Sequence, residues 1–183
     1  MNTKPISRTL AAIALTGAAC IGSVHAKSEP FAPMGIELGG SCQQGIAVMG
    51  QSTPTQLGGD VVLHVAKDAG TVFPGAQKVL MRCAGDRVLA VALVMPKGAP
   101  GNASARGMYQ SLSAKYKRIE GGPIQAVSSS YAVFTKGSSF IKLSVPHMSF
   151  EYDVGYYTKD FWEELEADRN KAEAEAERAK RKL

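Results

Sequence analysis

Histidine is the residue type in this chain best suited to act on a substrate or a metal, and its positions support neither role. His64 falls within the apolar run VVLHV, where a single histidine is more often structural than catalytic. His147 lies in a turn near Glu151 and Asp153, but no HxxxH or HExxH spacing accompanies it. We therefore expect neither a metal site nor a cofactor.

Nucleophilic catalysis has no better basis in the sequence. The consecutive serines at 128–130 lack the GxSxG context of a serine hydrolase and are typical of a solvated loop. Cys42 and Cys83 are too far apart for a CxxC redox motif, and either would have to stay reduced to act as a nucleophile. Carboxylate pairs could be assembled from acidic residues on a strand, which is ordinary surface chemistry. We expect no catalytic residue and no enzymatic activity.

Aromatic residues offer a candidate binding site. They are densest between residues 150 and 162, where the set comprises Phe150, Tyr152, Tyr156, Tyr157, Phe161 and Trp162. Most of the set fits a buried core, because its members alternate along a strand or begin a helix. The alternative is a binding surface on which Tyr157 and Trp162 stay partly exposed and anchor a peptide or glycan.

A long polar helix is predicted after Thr158. Only Phe161, Trp162 and Leu165 can dock it firmly, and the remainder to Leu183 is almost wholly charged or alanine. A second candidate binding set lies at its end and could contact an anionic lipid or polymer surface: Arg178, Lys180, Arg181 and Lys182. Mostly alanines repeat along one face of this helix at coiled-coil spacing, and alanine buries little area. Self-association through the helix would therefore be weak, so we expect a monomer or a weak oligomer.

The N-terminus is typical of a secretory signal. Lys4 and Arg8 precede an apolar run and a small-residue cleavage site that ends at Ala26. A lipoprotein signal at Cys20 is the alternative, since small residues precede that cysteine. We expect a soluble periplasmic or secreted protein. Cleavage would lower the formal net charge from +5 to +3 by removing two basic residues, and such a scattered charge does not favour a nucleic-acid partner.

Export also favours a disulfide between Cys42 and Cys83, the two cysteines that follow the signal. Closing a loop of this length would contribute about 3 to 4 kcal/mol on the loop-entropy account. Two separate buried thiols are the alternative.

Hydrophobic periodicity predicts an α+β domain with an antiparallel sheet, helices on one face and a projecting C-terminal helix. Residues 51–59, with Pro54 and two glycines, are predicted to be a loop. Two copies of a helix-plus-three-strand unit are an open alternative for the domain. Helices are predicted at 42–49, at 102–116 and after 158, and strands at 61–65, 78–83, 87–95, 131–135, 140–145 and 150–157. The division expected is a signal peptide at 1–26, a tail at 27–34, the domain at 35–168 and a charged helical extension at 169–183.

The run GIELGGS from Gly35 to Ser41, followed by a short helix ending at Gly50 and a strand meander, resembles the small envelope domains of the BamE-like outer-membrane assembly lipoproteins. The resemblance covers residues 35–95 and rests on a short motif, and the chain lacks a convincing lipobox and adds a second helix-and-strand half. Members of that family are non-catalytic accessory or binding proteins, so the resemblance implies the same class of function here.

These observations together predict a non-catalytic binding or accessory protein that contacts an envelope component or a protein partner through a sheet face and its projecting helix. The alternative is a periplasmic inhibitor or immunity protein directed against a cell-wall-cleaving enzyme, because small size, export and a single disulfide suit that class as well.

Overall fold

The computed structural model describes residues 30–181, and the predicted signal peptide with its cleavage site lies outside that range. Two four-stranded meanders make up most of the structure, each preceded by a helix. In chain order the elements are a 3-10 turn (Pro33–Gly35), α1 (Cys42–Met49), β1 (Ser52–Gly58), β2 (Val61–Ala66), α2 (Ala69–Val72), β3 (Lys78–Ala84), β4 (Arg87–Pro96), α3 (Ala103–Lys115), β5 (Lys117–Gly121), β6 (Ser130–Lys136), β7 (Ser139–Val145), β8 (Glu151–Tyr157) and α4 (Lys159–Lys180).

The strands form one eight-stranded sheet in the order β1-β2-β3-β4-β8-β7-β6-β5. Every neighbouring pair is antiparallel, and the last strands of the two meanders, β4 and β8, pair at the centre. The predicted α+β class, the antiparallel sheet and the C-terminal helix are confirmed. Each half contains four strands, where the sequence analysis allowed for three.

The additional strands are β1 and β5, which lie at the two edges of the sheet. The prediction of a loop at 51–59 is wrong, because β1 pairs with β2 along most of that segment. Pro54 is tolerated in β1 because an edge strand has one side without ladder hydrogen bonds. β5 carries Lys117, Arg118 and Glu120, and its side chains are mostly exposed, so neither edge strand has the apolar alternation that reveals a half-buried strand.

The hydrophobic core lies on one face of the sheet, which we call the core face. It carries side chains such as Met81, Val91, Phe134 and Ile141, all fully buried. α1 and α3 cover this face through residues that include Cys42 and Leu112. A Cβ at Gly45 of α1 would collide with the end of the Met81 side chain, so this glycine allows the helix to lie close to β3 without displacing Met81.

The N-terminal boundary of the domain lies before residue 35. The Phe31 ring meets Tyr116 at 5.8 Å and Tyr156 at 5.9 Å between centroids, both in edge-on geometry, and Pro33 is buried. The interpretation of 27–34 as a tail is therefore wrong for its described part, because an aromatic anchor fixes the segment to the core.

The predicted disulfide is confirmed: Cys42, the first residue of α1, is bonded to Cys83 of β3 with their Cα atoms 6.1 Å apart. It ties α1 to the sheet at the helix N-terminus. Across residues 30–181, no helix combines the length and the apolar composition needed to cross a membrane.

Candidate functional site

α4 is held against the face of the sheet opposite the core face, which we call the open face. The Trp162 ring stacks on Phe140 of β7 at 5.2 Å with an interplanar angle of 12°. The Arg82 guanidinium lies 4.6 Å from the centre of the Phe161 ring, within cation–π range. A Cβ at Gly155 would overlap the Tyr157 ring, so this glycine leaves room for the tyrosine side chain on the open face. Aromatic contacts therefore fix the first two turns of α4.

The two aromatic residues predicted as binding anchors belong to this docking contact. Trp162 is 7% exposed, so the idea of a partly exposed Trp162 that anchors a ligand is wrong, and its role as core is the correct one of the two interpretations. Tyr157 is half-buried and meets Trp162 at 5.4 Å, and burial raises the pKa of its hydroxyl. Both residues position α4.

An open groove of about 770 Å³ lies between the later turns of α4 and the C-terminal half of the open face. Its floor is β6 and β7, because residues of those strands alternate and every second side chain points to this face. Arg169 and Glu173 form the wall on the α4 side. The lining residues are Glu120, Ser129, Ser130, Tyr131, Lys142, Ser144, Val145, Pro146, Arg169 and Glu173. We call this the polar groove.

Some polar groups of the polar groove are paired with neighbouring side chains. The Tyr131 hydroxyl donates a 2.8 Å hydrogen bond to Glu120, and this bond to a carboxylate raises the pKa of Tyr131. The Arg169 guanidinium forms a close ion pair with Glu166 and a longer one of 3.9 Å with Glu173. Such surface pairs are weak and exchange readily with polar groups of a ligand, so the groove suits recognition by hydrogen bonds and ion pairs.

A second cavity, of about 290 Å³, lies on the other side of α4 and is apolar. Leu63, Leu80, Ala90 and Ala92 form its floor, and Phe161 and Leu165 form its wall. We call it the apolar groove.

The cationic residues at the end of α4 are exposed, as expected for a helix that extends past the sheet. Arg178 and Arg181 line none of the cavities described above, and Lys180 pairs with Glu177 at 3.2 Å. Lys182 lies outside the described residues. The structure thus separates the predicted binding residues into an aromatic pair that docks α4 and an exposed cationic end.

An apolar loop tip between β7 and β8 has no signal in the sequence pattern. Met148 and Phe150 are 92% and 93% exposed, so the prediction that Phe150 begins the buried side of the last strand is wrong. The strand starts at Glu151, whose N–H donates a hydrogen bond to Ser149 Oγ at 2.9 Å, so Phe150 lies in the loop before the strand. Buried Lys97 donates through Nζ to the carbonyl of Pro146 and holds the base of the loop.

No known protein family, curated protein or solved structure matches this chain.

Proposed function

We propose that this protein is a non-catalytic binding or accessory protein of the extracytoplasmic space, which holds an extended segment of a protein partner in the polar groove. The observation that carries the proposal is the groove itself, about 770 Å³ of open cavity between α4 and the sheet. Both the sheet face and the C-terminal helix contribute to it. The resemblance of residues 35–95 to BamE-like domains also supports the proposal, because members of that family are non-catalytic accessory or binding proteins.

The lining of the polar groove favours a peptide over an apolar ligand. Serines, a tyrosine and both signs of charge lie along it, and these groups offer donors and acceptors at intervals that suit a polypeptide backbone with polar side chains. Tyr131 is 43% exposed and lines the same groove as Arg169, and tyrosine and arginine are enriched at protein interfaces. An extended segment lying over β6 and β7 would contact Lys142 and Ser144 while Arg169 closes over it.

The exposed cationic end of α4 then serves as an auxiliary contact. Its basic residues interact favourably with the partial negative charge at the C-terminal end of the helix dipole. They also leave a positively charged tip that an anionic lipid or polymer surface would attract. This attraction weakens as the salt concentration rises.

Photocrosslinking in intact cells tests the proposal. A photoreactive residue at Ser144, in the floor of the groove, is expected to crosslink one specific protein, and the same residue at Thr55 of the edge strand β1 serves as the background control. Arg169→Glu is expected to abolish the Ser144 crosslink, whereas Lys171→Glu, the same charge reversal at an exposed α4 residue outside the groove lining, should leave it intact.

Two results would overturn the proposal. A Ser144 crosslinking pattern no stronger than the Thr55 background would remove the groove as a binding site. Turnover of a substrate in a broad hydrolase screen, lost in a point variant, would remove the non-catalytic class. Capture of a cell-wall-cleaving enzyme that the purified protein inhibits would favour the inhibitor alternative.

A further inference from the structure

The structure brings His64 to the disulfide, which the sequence separates from it by at least 19 residues. Val62 of β2 pairs with Cys83 of β3, and His64 follows two residues later on the same face, in the diagonal position from which a long side chain reaches its neighbour. One ligand atom from each of Cys42, His64 and Cys83 lies within 4.8 Å of the others.

These three residues border a cavity of about 670 Å³ that opens between α1 and the β1–β2 hairpin. Cys42 and Cys83 are almost fully buried, yet their side chains line this cavity together with the half-buried His64. Small ions and reductants therefore have a path to the sulfur atoms through an otherwise packed wall.

We propose that reduction of the Cys42–Cys83 disulfide creates a three-ligand site for Zn²⁺, made of the two thiolates and the His64 imidazole, so that the disulfide and the metal are mutually exclusive. This site lies on the core face, away from the polar groove, and does not depend on the proposed binding function. Two cysteines and one histidine, with a water in the fourth position, are a donor set that Zn²⁺ accepts in open sites.

The geometry needs only local movement. Tetrahedral Zn²⁺ with Zn–S bonds of about 2.3 Å and a Zn–N bond of about 2.0 Å requires ligand atoms roughly 3.5 to 3.8 Å apart. The imidazole nitrogen already lies within 4.8 Å of both sulfur atoms, and the sulfur atoms separate by rotation about their Cα–Cβ bonds once they are no longer bonded. The Cα–Cα distance of 6.1 Å leaves room for a metal between the side chains.

Three features of the surroundings suit the proposed ligands or their metal. Cys42 is the first residue of α1, where backbone N–H groups and the helix dipole stabilise a thiolate. The Asp86 carboxylate also borders the cavity; it accepts hydrogen bonds from Ser41 Oγ at 3.1 Å and from the Gln43 N–H at 3.3 Å, and it adds negative charge near the site. Ser52 Oγ lies 3.5 Å from His64 Nδ1 and can orient the ring.

The chemistry balances in two steps. A dithiol reductant transfers two electrons and two protons: the S–S bond of Cys42 and Cys83 breaks, each sulfur becomes a thiol, and the reductant closes to its own disulfide. Zn²⁺ then forms one bond to each sulfur and releases both thiol protons, while neutral His64 donates a nitrogen lone pair. Neither step changes the oxidation state of the metal.

The test is metal titration of the purified chain before and after reduction, with Co²⁺ as the spectroscopic substitute for Zn²⁺. The reduced protein is expected to bind one Co²⁺ with sulfur-to-cobalt charge-transfer absorption that excess Zn²⁺ removes, and the oxidised protein should give no such absorption. His64→Ala should weaken binding by at least about tenfold, since even loss of a group that only orients a ligand costs that much. The matched control His147→Ala, an exposed histidine of the β7–β8 loop, should bind like the parent.

Circular dichroism of each sample shows whether reduction unfolds the chain, and the test remains decisive if it does. In that case Zn²⁺ is expected to restore the native spectrum of the parent and of His147→Ala, but not that of His64→Ala, because metal binding would then be coupled to folding. The proposal is overturned if the reduced, folded protein shows no charge-transfer absorption. It is overturned equally if His64→Ala binds like the parent, or if Zn²⁺ fails to restore a chain that reduction has unfolded.

Discussion

α4 borders two grooves on the open face of the sheet, and the two differ in what lies beneath the helix. On the side of the N-terminal half, the floor is aliphatic and the apolar groove measures about 290 Å³. On the side of the C-terminal half, the floor is hydroxylated and charged and the polar groove measures about 770 Å³. Apolar side chains close around Phe161 and Leu165, whereas the paired charges near Arg169 stay hydrated and leave the space open.

This difference separates two tasks along one helix. The first turns of α4 bury apolar surface, at about 1.5 to 3 kcal/mol per large side chain, and so determine whether the helix stays docked. The later turns bury little and contribute groups that a partner can contact. Stability and recognition can therefore be disturbed independently by changes only a few residues apart.

The largest expected effect comes from removing the aromatic anchor. Trp162→Ala should lower the free energy of unfolding by about 3 to 5 kcal/mol, because it leaves a cavity against Phe140 and Tyr157. Urea unfolding measures the change, and Trp162→Phe, which keeps a ring on Phe140, should lose markedly less. A loss below about 1 kcal/mol would mean that docking of α4 depends on other contacts.

Deletion of residues 169–183 should have a much smaller effect on stability. The segment from Arg169 onward is exposed in the described part of the chain, and it presents alanines and charges, so the free energy of unfolding should change by less than about 0.5 kcal/mol. The same deletion removes the Arg169 and Glu173 wall and should abolish the Ser144 crosslink. A large fall in melting temperature would show instead that the end of α4 packs on the domain.

The smallest effect concerns the pKa of Tyr131. Glu120→Gln should lower this pKa toward its ordinary value of 10.0, because the carboxylate that accepts the hydroxyl proton is replaced by a neutral amide. Ultraviolet titration measures it, with Tyr131→Phe to assign the signal and Glu177→Gln, far along α4, as the matched control.

The sign of the accompanying stability change follows from the raised pKa of Tyr131 in the folded chain. The stability that neutral Tyr131 contributes is fully present below the unfolded pKa of about 10 and is lost as the pH rises through the folded pKa. Glu120→Gln should reduce this loss at alkaline pH. An unchanged Tyr131 titration in Glu120→Gln would contradict the pairing that organises the polar groove.

The sequence predicted the elements that bury apolar side chains and failed where structure depends on contacts between distant segments. Periodicity located α1, α3 and α4 and the six inner strands, since each has one face against the core. It missed the two edge strands, because they have few buried side chains to reveal a period of two. It also missed α2, a single turn begun by the Asp68 side chain, which accepts from the Thr71 N–H.

The candidate sites were harder to predict for the same reason. Tyr131, Lys142 and Arg169 are widely spaced in the chain, and only the crossing of α4 over β6 and β7 brings them to one groove. The proximity of His64 to the disulfide follows from strand register, which the sequence pattern of VVLHV does not contain. Trp162 could be assigned to docking or to binding until its neighbours were known.

The two outer strands have one further consequence, which concerns other copies of the same chain. An open sheet exposes unpaired N–H and C=O groups at each edge, and such edges invite strand addition and aggregation. β1 contains Pro54, which has no N–H to offer, and a bulge between Gln56 and Gly58; β5 has a bulge between Arg118 and Glu120 and exposed charges along its length. Both edges of the sheet therefore carry features that oppose strand addition by another copy of the chain.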